Sequence, residues 1–270
     1  MPGGASRGNE WQRKDRIMAF ENGEWIMYGM DWDDPYRIRT WQELINWVNE
    51  VGFLPFFANS VPGFSAEEHV SPLFWWTGNP EQDPWEWREL IAASHQVAYG
   101  KFFGGKAGFI SLEWLPVFAN YRRDGYDFDS RWEDGLASHR EKLIMDLLTG
   151  RDEDGDMTFP DIQILSTELK KQAGFGKGKE KNFPGITTSL QMQTYLVITG
   201  FYRRKNKKGA EYGMPVSILQ PPEALWGYEA VTADYEEKPE ESWQRIFDHV
   251  RKEFPDGSEK EIIKLIGKRP

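Results

Sequence analysis

The order of apolar and polar positions between residues 162 and 219 predicts two helices followed by two strands. Apolar residues recur at the spacing of one helical face in two successive stretches, and glycines interrupt the pattern after each. A lysine- and glycine-containing turn then separates two short runs of β-forming residues. The predicted segments are a helix over 166–174, a second helix from about 187 to 200, and hairpin strands at 201–202 and 216–218.

The ends of these elements follow from local chemistry. The Ser166 hydroxyl can accept a free backbone N–H at the start of the first helix, and Thr187 or Thr188 can do so for the second. Gly200 is expected to end the second helix. Pro215 has no backbone N–H, so the second strand of the hairpin is expected to lie at a sheet edge. A helix-turn-helix followed by a β-hairpin is the order of a winged helix.

The rest of the chain is dominated by helical patterns that begin with capping residues. Thr40, Asp83, Ser130 and Ser258 each precede such a pattern, and Pro84 suits a first helical position. One apolar run at 25–28 reads as a strand, and the glycine- and lysine-rich stretch at 99–109 reads as a loop. The predicted helices are 40–51, 83–96, 111–118, 130–148, 239–254 and 258–266.

These segments predict a mainly α fold with small β elements (α+β). A winged helix-turn-helix module is attached to a mostly helical, aromatic-rich body. The acidic stretch 151–156 breaks the pattern, so we place the boundary between body and module there. The predicted organisation is a loose N-terminus at 1–10, the body at 11–150, an acidic linker at 151–160, the winged-helix module at 161–222, and C-terminal helices packing on the body at 223–270.

Composition excludes several classes of function. The 270 residues are 39% hydrophobic and include 13 Trp and no Cys, so the chain should fold and cannot use thiolates or disulfides. The four histidines are far apart in sequence, and we expect no metal or cofactor. The N-terminal residues lack the apolar core of a signal peptide, and no run approaches ~18 apolar residues, so we expect a cytoplasmic protein without membrane spans.

Charge is concentrated in one segment. Residues 170–208 contain ten lysines and arginines and one acid, so they carry a formal charge of +9 in a chain whose net charge is −10. Like charges on one module repel one another, and a phosphate backbone relieves that repulsion. Double-stranded DNA is therefore the predicted partner. The alternative is an ordinary solvated, lysine-rich loop.

Candidate DNA-binding residues follow from the predicted positions of the second helix and the hairpin in this basic segment. If Gly200 ends the second helix, Gln191 and Thr194 face outward, where Gln can contact an adenine edge and Thr a thymine methyl or a phosphate. Lysines on the hairpin would reach backbone phosphate. The predicted DNA-binding set is Lys177, Lys179, Lys181, Thr187, Thr188, Gln191, Thr194, Arg203, Arg204, Lys205, Lys207 and Lys208.

An acid–base site requires a positioned carboxylate, and one turn offers three. Asp124, Asp127 and Asp129 lie close together in sequence, next to Arg122 and Arg123, which would keep a carboxylate ionised. Asp127 is the candidate catalytic residue of this group. The alternative is that the aspartates only accept backbone N–H groups within a turn.

Several sequence stretches resemble the AlkZ-related proteins, which are bacterial relatives of the winged-helix DNA glycosylases represented by AlkZ and YcaQ. The resemblance extends over residues 38–223 and implies a winged-helix architecture, binding to DNA, and a link to DNA repair. The stretches that carry it are DPWEWR, AYGKFFGGKAGFIS, NYRRDGYDFD, ELKKQAGFG and LQMQTYLVITGFYRR.

In those glycosylases a Gln-apolar-Gln motif near the N-terminus positions the attacking water. This chain has Gln191-Met192-Gln193, late in the sequence and inside a predicted helix. Side chains two positions apart on a helix point about 200° away from each other, so both amides cannot hold one water. Gln191 and Gln193 are therefore catalytic candidates only by resemblance.

Three functions remain open from the sequence. The first is a DNA-binding winged-helix protein without catalytic activity, and the second is an active base-excision glycosylase on alkylated or crosslinked DNA. The third is an interaction module that binds a protein or small molecule in an aromatic pocket near Trp85, Trp87 and Tyr126.

Overall fold

The computed structural model describes residues 19–21 and 24–270, and its architecture is α+β. The segment predicted to be loose, 1–10, lies outside the described residues. The predicted strand near Trp25 is the second half of a small antiparallel hairpin formed by β1 (Ala19–Glu21) and β2 (Glu24–Ile26). None of the helices in the described ranges has the length and apolar character needed to cross a membrane.

The first three-stranded sheet is antiparallel, and its strand order is β3-β5-β4. One helix precedes the sheet in sequence, and a second lies between its first two strands. Both begin as the sequence predicts. The Thr40 hydroxyl accepts the Glu43 N–H at the start of the first, and Asp83 accepts the Trp85 N–H at the start of the second. The elements are α1 (Trp41–Val51), β3 (Phe53–Pro55), α2 (Pro84–Ser94), β4 (Val97–Phe103) and β5 (Lys106–Ser111).

The sequence prediction of a loop at residues 99–109 is wrong. These residues form the β4–β5 hairpin, which turns at Gly104 and Gly105, both with positive φ. The hairpin strands are buried on both faces, so they lack the polar alternation that identifies a half-exposed strand. The body is therefore less helical than its sequence pattern indicates.

Short helices and a small hairpin follow the first three-stranded sheet. The predicted single helix over 130–148 is two helices, because the chain turns at Gly135 (φ 71°) and restarts with a capping box between Ser138 and Glu141. The acidic stretch 152–156 is the turn of a small hairpin. The elements are α3 (Leu115–Arg123), α4 (Phe128–Glu133), α5 (His139–Met145), β6 (Gly150–Arg151) and β7 (Met157–Thr158).

The second three-stranded sheet has the strand order β8-β10-β9 and is also antiparallel. The predicted hairpin pairing is confirmed, with Val216 opposite Tyr202. The second strand is central, contrary to the prediction of an edge, and Pro215 lies just before it. The elements are β8 (Ile164–Leu165), α6 (Ser166–Gln172), α7 (Phe183–Met192), β9 (Val197–Tyr202) and β10 (Val216–Gln220).

The helix boundaries in this segment differ from those predicted. Ser166 is already the first residue of α6, so it does not cap the helix as predicted. The N-cap position is held by Leu165, whose apolar side chain cannot accept a hydrogen bond. The second helix, α7, starts at Phe183, four residues before the first predicted cap, and ends before Thr194, which has a φ of 63°. Gly200 therefore lies inside β9 and does not end the helix.

The two sheets share one connectivity, which the sequence analysis missed. In each, a short strand is followed by helical segments and then a hairpin, and the last strand lies between the other two. The two copies are offset by 100 residues, and identical residues recur at that offset within α2–β4 and α7–β9. These pairs are Pro84 and Pro184, Leu90 and Leu190, Val97 and Val197, and Gly100 and Gly200.

The two copies pack against each other reciprocally. Helix α2 contacts β9, α7 contacts β4, and β4 contacts β9. The His95 ring lies 3.1 Å (Nε2 to O) from the Thr199 carbonyl in one of these contacts, and the Lys101 N–H donates to Gln191 Oε1 at 3.1 Å in the other. As a result, one side of each helix is covered by the sheet of the opposite copy.

Helices after the second sheet cover the first one. The predicted helix over 239–254 is confirmed, with its predicted apolar positions buried, and it packs on α3. The final helix begins with the predicted capping box between Ser258 and Glu261. The elements are α8 (Pro222–Trp226), α9 (Tyr228–Val231), α10 (Pro239–Glu253) and α11 (Glu259–Ile266).

A buried ion pair connects α3, α8 and the end of α7. The Arg123 guanidinium donates to Glu223 at 2.5 Å and to the carbonyl of Thr194 at 2.8 Å, and both charged side chains are buried. It also lies 4.6 Å over the Tyr195 ring. Burial alone would lower the pKa of Arg123, but the charge of Glu223 outweighs it and raises that pKa above its ordinary value.

Candidate nucleic-acid interface

The loop between β9 and β10, residues 203–215, is an ordered extension of the second sheet. Its turn is built around Asn206, whose side-chain oxygen accepts the N–H groups of Lys208 (2.9 Å) and Ala210 (3.1 Å). The Tyr212 N–H donates to the Arg204 carbonyl at 3.0 Å, closer to the sheet. The loop therefore continues the hairpin beyond the ends of its two strands.

Four cations lie on this β9–β10 loop. Arg204, Lys205, Lys207 and Lys208 are exposed, and among the described residues none of them forms an ion pair with a carboxylate. Unpaired cations on one short loop repel each other and are free to meet an external anion. All four belong to the predicted DNA-binding set.

Arg203, which is also in the predicted DNA-binding set, is in a different environment. Its guanidinium is held by Glu86 and Glu89 of α2, with a longer contact of 3.5 Å to Glu211. The hydrogen bond to Glu86, more than offsetting partial burial, raises the pKa of Arg203. Arg203 therefore anchors the β9–β10 loop to α2, and its guanidinium is already engaged by carboxylates.

The turn between α6 and α7 carries the other predicted cations. Lys177, Lys179 and Lys181 are exposed, and none has a carboxylate partner within the described part of the chain. Glu180, the acid in this turn, pairs with Arg140 at 2.6 Å. The turn therefore keeps its three lysine charges available.

The prediction that Gln191 and Thr194 face outward is wrong, and Thr187 is buried with them. The side chain of Gln191 bonds the Lys101 N–H and the Thr187 carbonyl, and Thr194 Oγ1 accepts from Arg123. The physical reason is the packing of α7 on β4, which covers the face that the sequence assigned to DNA. Thr188 is half-buried, within 3.4 Å of Lys101 Nζ.

The exposed side of α7 lines an open groove of about 510 Å³. Gln193 stands at its C-terminal end, where the Gln193 amide donates to Glu141 at 3.0 Å and to the Ser189 hydroxyl at 2.9 Å. The Arg122 guanidinium donates to the carbonyl of Met192 at 3.0 Å, and burial lowers the pKa of Arg122 to about 10. The groove is lined by Pro184, Gly185, Thr188, Ser189, Met192 and Gln193.

The three catalytic candidates point to different partners. Gln191 faces β4, Gln193 faces Glu141 on α5, and the Asp127 carboxylate accepts the Tyr228 hydroxyl at 2.7 Å. The inference that the two glutamine amides cannot hold one water agrees with this geometry. The structure does not bring these three residues together as one site.

Two of the three aromatic residues considered for an interaction pocket pack in or against the core. Trp87 is buried, and the Arg88 guanidinium lies 3.8 Å over the Trp85 ring. The Tyr126 carbonyl accepts the hydroxyls of Tyr195 and Tyr235. Trp87 therefore belongs to the core and Trp85 packs against it, while Tyr126 contributes its backbone carbonyl to these contacts.

Glu141 gives a pH-dependent test of the polar contacts beside the groove. Burial alone would raise its pKa, but hydrogen bonds from Ser138, Gln193 and Ser189 outweigh burial and hold the pKa below its usual value. A depressed acid pKa adds stability that is present above the unfolded value and is lost as pH falls through the folded one. We expect Glu141→Gln to be less stable than wild type at neutral pH, and the difference to shrink below about pH 4.5. Urea unfolding across pH measures this, and a difference independent of pH would contradict it.

Comparison with protein-family models identifies the family of this chain. A family model described as AlkZ related matches residues 38–267, which is nearly the whole chain, and the protein therefore belongs to the AlkZ-related family. The resemblance expected from the sequence is thus confirmed. Searches of curated proteins and of solved structures each found no match.

Sequence reasoning missed three exposed apolar side chains close to the unpaired cations. Tyr202, Tyr212 and Met214 lie at the end of β9 and in the β9–β10 loop, and each residue is more than half exposed. A signal was present, because Phe201, Tyr202 and Tyr212 flank the run of cations in the predicted hairpin. Their exposure, however, depends on which elements pack beside the hairpin, and one sequence does not reveal that.

Proposed function

We propose that this protein binds double-stranded DNA through phosphate contacts made by the β9–β10 loop and supported by the turn between α6 and α7. The single observation that carries the proposal is a set of four exposed cations on one ordered loop of an acidic chain. None of the four pairs with a carboxylate in the described part of the structure. Cations that neutralise phosphates release bound counterions, which supplies most of the free energy of non-specific DNA binding.

The order of elements supports a winged-helix assignment for the second sheet. Strand β8 is followed by α6 and α7, and a hairpin then returns beside β8. This is a helix-turn-helix with an attached β-hairpin, and the β9–β10 loop is then its wing. The first sheet has the same strand order, so the proposed fold is a pair of winged helices. Membership of the AlkZ-related family is consistent with a DNA partner.

One face of α7 is covered, and this limits how the protein is proposed to bind DNA. In a helix-turn-helix protein the second helix reads base edges in the major groove. Here α7 is packed against β4, and its Gln191 and Thr194 side chains are bonded internally. Positioning by phosphate contacts without direct base readout is therefore the proposed mode. The internal partners of Gln191 and Asp127 give no support to a glycosylase reaction.

The test is a quadruple variant in which Arg204, Lys205, Lys207 and Lys208 are replaced by glutamine. We expect its affinity for a random-sequence duplex to fall by about 100-fold or more at moderate salt, because each lost phosphate contact removes counterion release. Fluorescence anisotropy with a labelled duplex measures the loss.

The matched control removes four charges elsewhere. Lys252, Lys260, Lys264 and Lys268 are exposed on or after the C-terminal helices, and replacing them with glutamine gives the same net charge. This control should bind nearly as well as wild type. An equal loss in both variants would mean that only net charge matters, and binding by neither wild type nor variants would remove the proposal.

A further inference from the structure

Three apolar side chains are exposed beside the unpaired cations. The exposed fraction is 51% for Tyr202, 53% for Tyr212 and 69% for Met214. Single exposed apolar residues are common on protein surfaces, but a group of three on one hairpin is a candidate binding surface. Here the group shares its hairpin with Arg204, Lys205, Lys207 and Lys208.

Local contacts fix the backbone conformation at the outer two of these residues. Tyr212 is fixed by its N–H bond to Arg204, and Gly213 with a φ of 71° turns the chain between Tyr212 and Met214. At the base of the loop, Arg203 is tied to Glu86 and Glu89 of α2. A loop that is already ordered loses little conformational entropy when its side chains enter a ligand.

Apolar and aromatic side chains next to cations match the chemistry of exposed bases. Bases offer flat π-faces for stacking, and the cations meet the adjacent phosphates. Apolar side chains can also enter between base pairs, at the cost of unstacking them. Where bases are already unpaired, that cost is smallest.

We propose that the β9–β10 loop places Tyr212 and Met214 against unstacked bases, so that the preferred ligand is DNA with a locally unpaired or mismatched region. This inference rests on the proposed DNA binding and specifies its substrate class. The four cations supply affinity for any duplex, while the two apolar side chains supply the preference for distorted sites.

The experiment compares two duplexes of equal length and sequence composition, one fully paired and one with a central run of mismatches. Wild type should bind the mismatched duplex about tenfold more tightly, which is the range of one stacked base. The double variant Tyr212→Ala/Met214→Ser should lose this preference and keep its affinity for the paired duplex. Tyr36→Ala, which removes another exposed tyrosine outside the loop, should bind like wild type.

The outcomes separate this inference from the proposed function. Equal affinity of wild type for the two duplexes would overturn the inference and leave phosphate binding intact, whereas no affinity for either would overturn both. A preference that survives in the double variant, with its folding verified by thermal unfolding, also overturns it. Aromatic and basic residues suit anionic lipid surfaces too, so tighter binding to phosphatidylserine vesicles than to either DNA would overturn it in favour of a membrane ligand.

Discussion

Replacing Arg123 with methionine should lower the free energy of unfolding by about 3–5 kcal/mol, as expected when one partner of a buried ion pair is removed. The change leaves the Glu223 carboxylate buried without its counter-charge and removes two donors from Thr194. Thr194 is a β-branched residue with a φ of 63°, a conformation that needs such support. Urea unfolding followed by tryptophan fluorescence measures the loss.

An exposed ion pair provides the matched control. Arg140→Met removes the pair with Glu180, whose two side chains are 45% and 34% exposed, and it should change stability by no more than about 1 kcal/mol. Adding Glu223→Leu to Arg123→Met should recover part of the loss, since no buried charge is then left unpaired. A single Arg123 variant as stable as the Arg140 variant would contradict a central role for the buried pair.

Phe53→Ala should also destabilise the chain by about 3–5 kcal/mol, because truncation leaves a cavity in a closely packed aromatic core. Phe53 is fully buried on β3, and its ring centroid lies 4.8 Å from that of Phe118 and 5.2 Å from that of Trp114. It also lies 5.5 Å from the His249 ring on α10. One side chain therefore connects the first sheet with the helices that cover it.

The controls for this prediction differ in burial and in volume. Tyr36→Ala removes an aromatic ring that is 70% exposed and should have little effect on thermal unfolding. Phe53→Leu keeps most of the volume and should cost much less than the alanine variant. If the alanine variant unfolds at the temperature of wild type, the aromatic cluster around Phe53 does not stabilise the fold as described.

The features of the fold that the sequence predicted correctly are those determined by residues close together in sequence. Thr40, Asp83 and Ser258 each begin a helix by accepting a nearby N–H, and that bond requires only a short segment of chain. The apolar face of α10 is likewise readable from its own spacing. The family resemblance was carried by the same kind of contiguous sequence.

The predictions were wrong where contacts between residues far apart in sequence determine the exposure or the secondary structure of a segment. Helix α7 carries a Gln and Thr face that reads as solvent-exposed, yet β4, about 90 residues away in sequence, covers it and bonds Gln191. The β4–β5 hairpin was missed because burial on both faces removes polar alternation. Lys207 and Lys208 were assigned to an exposed turn correctly, since a hairpin turn with glycine has a local signature.

The most direct test of the account is the dependence of duplex affinity on salt, measured for wild type and for the quadruple glutamine variant of the β9–β10 loop. If Arg204, Lys205, Lys207 and Lys208 each neutralise a phosphate, the wild-type plot of log K against log salt should be steeper than that of the variant by about 3 to 4. Identical slopes for the two proteins, or an affinity that does not change with salt, would contradict the account.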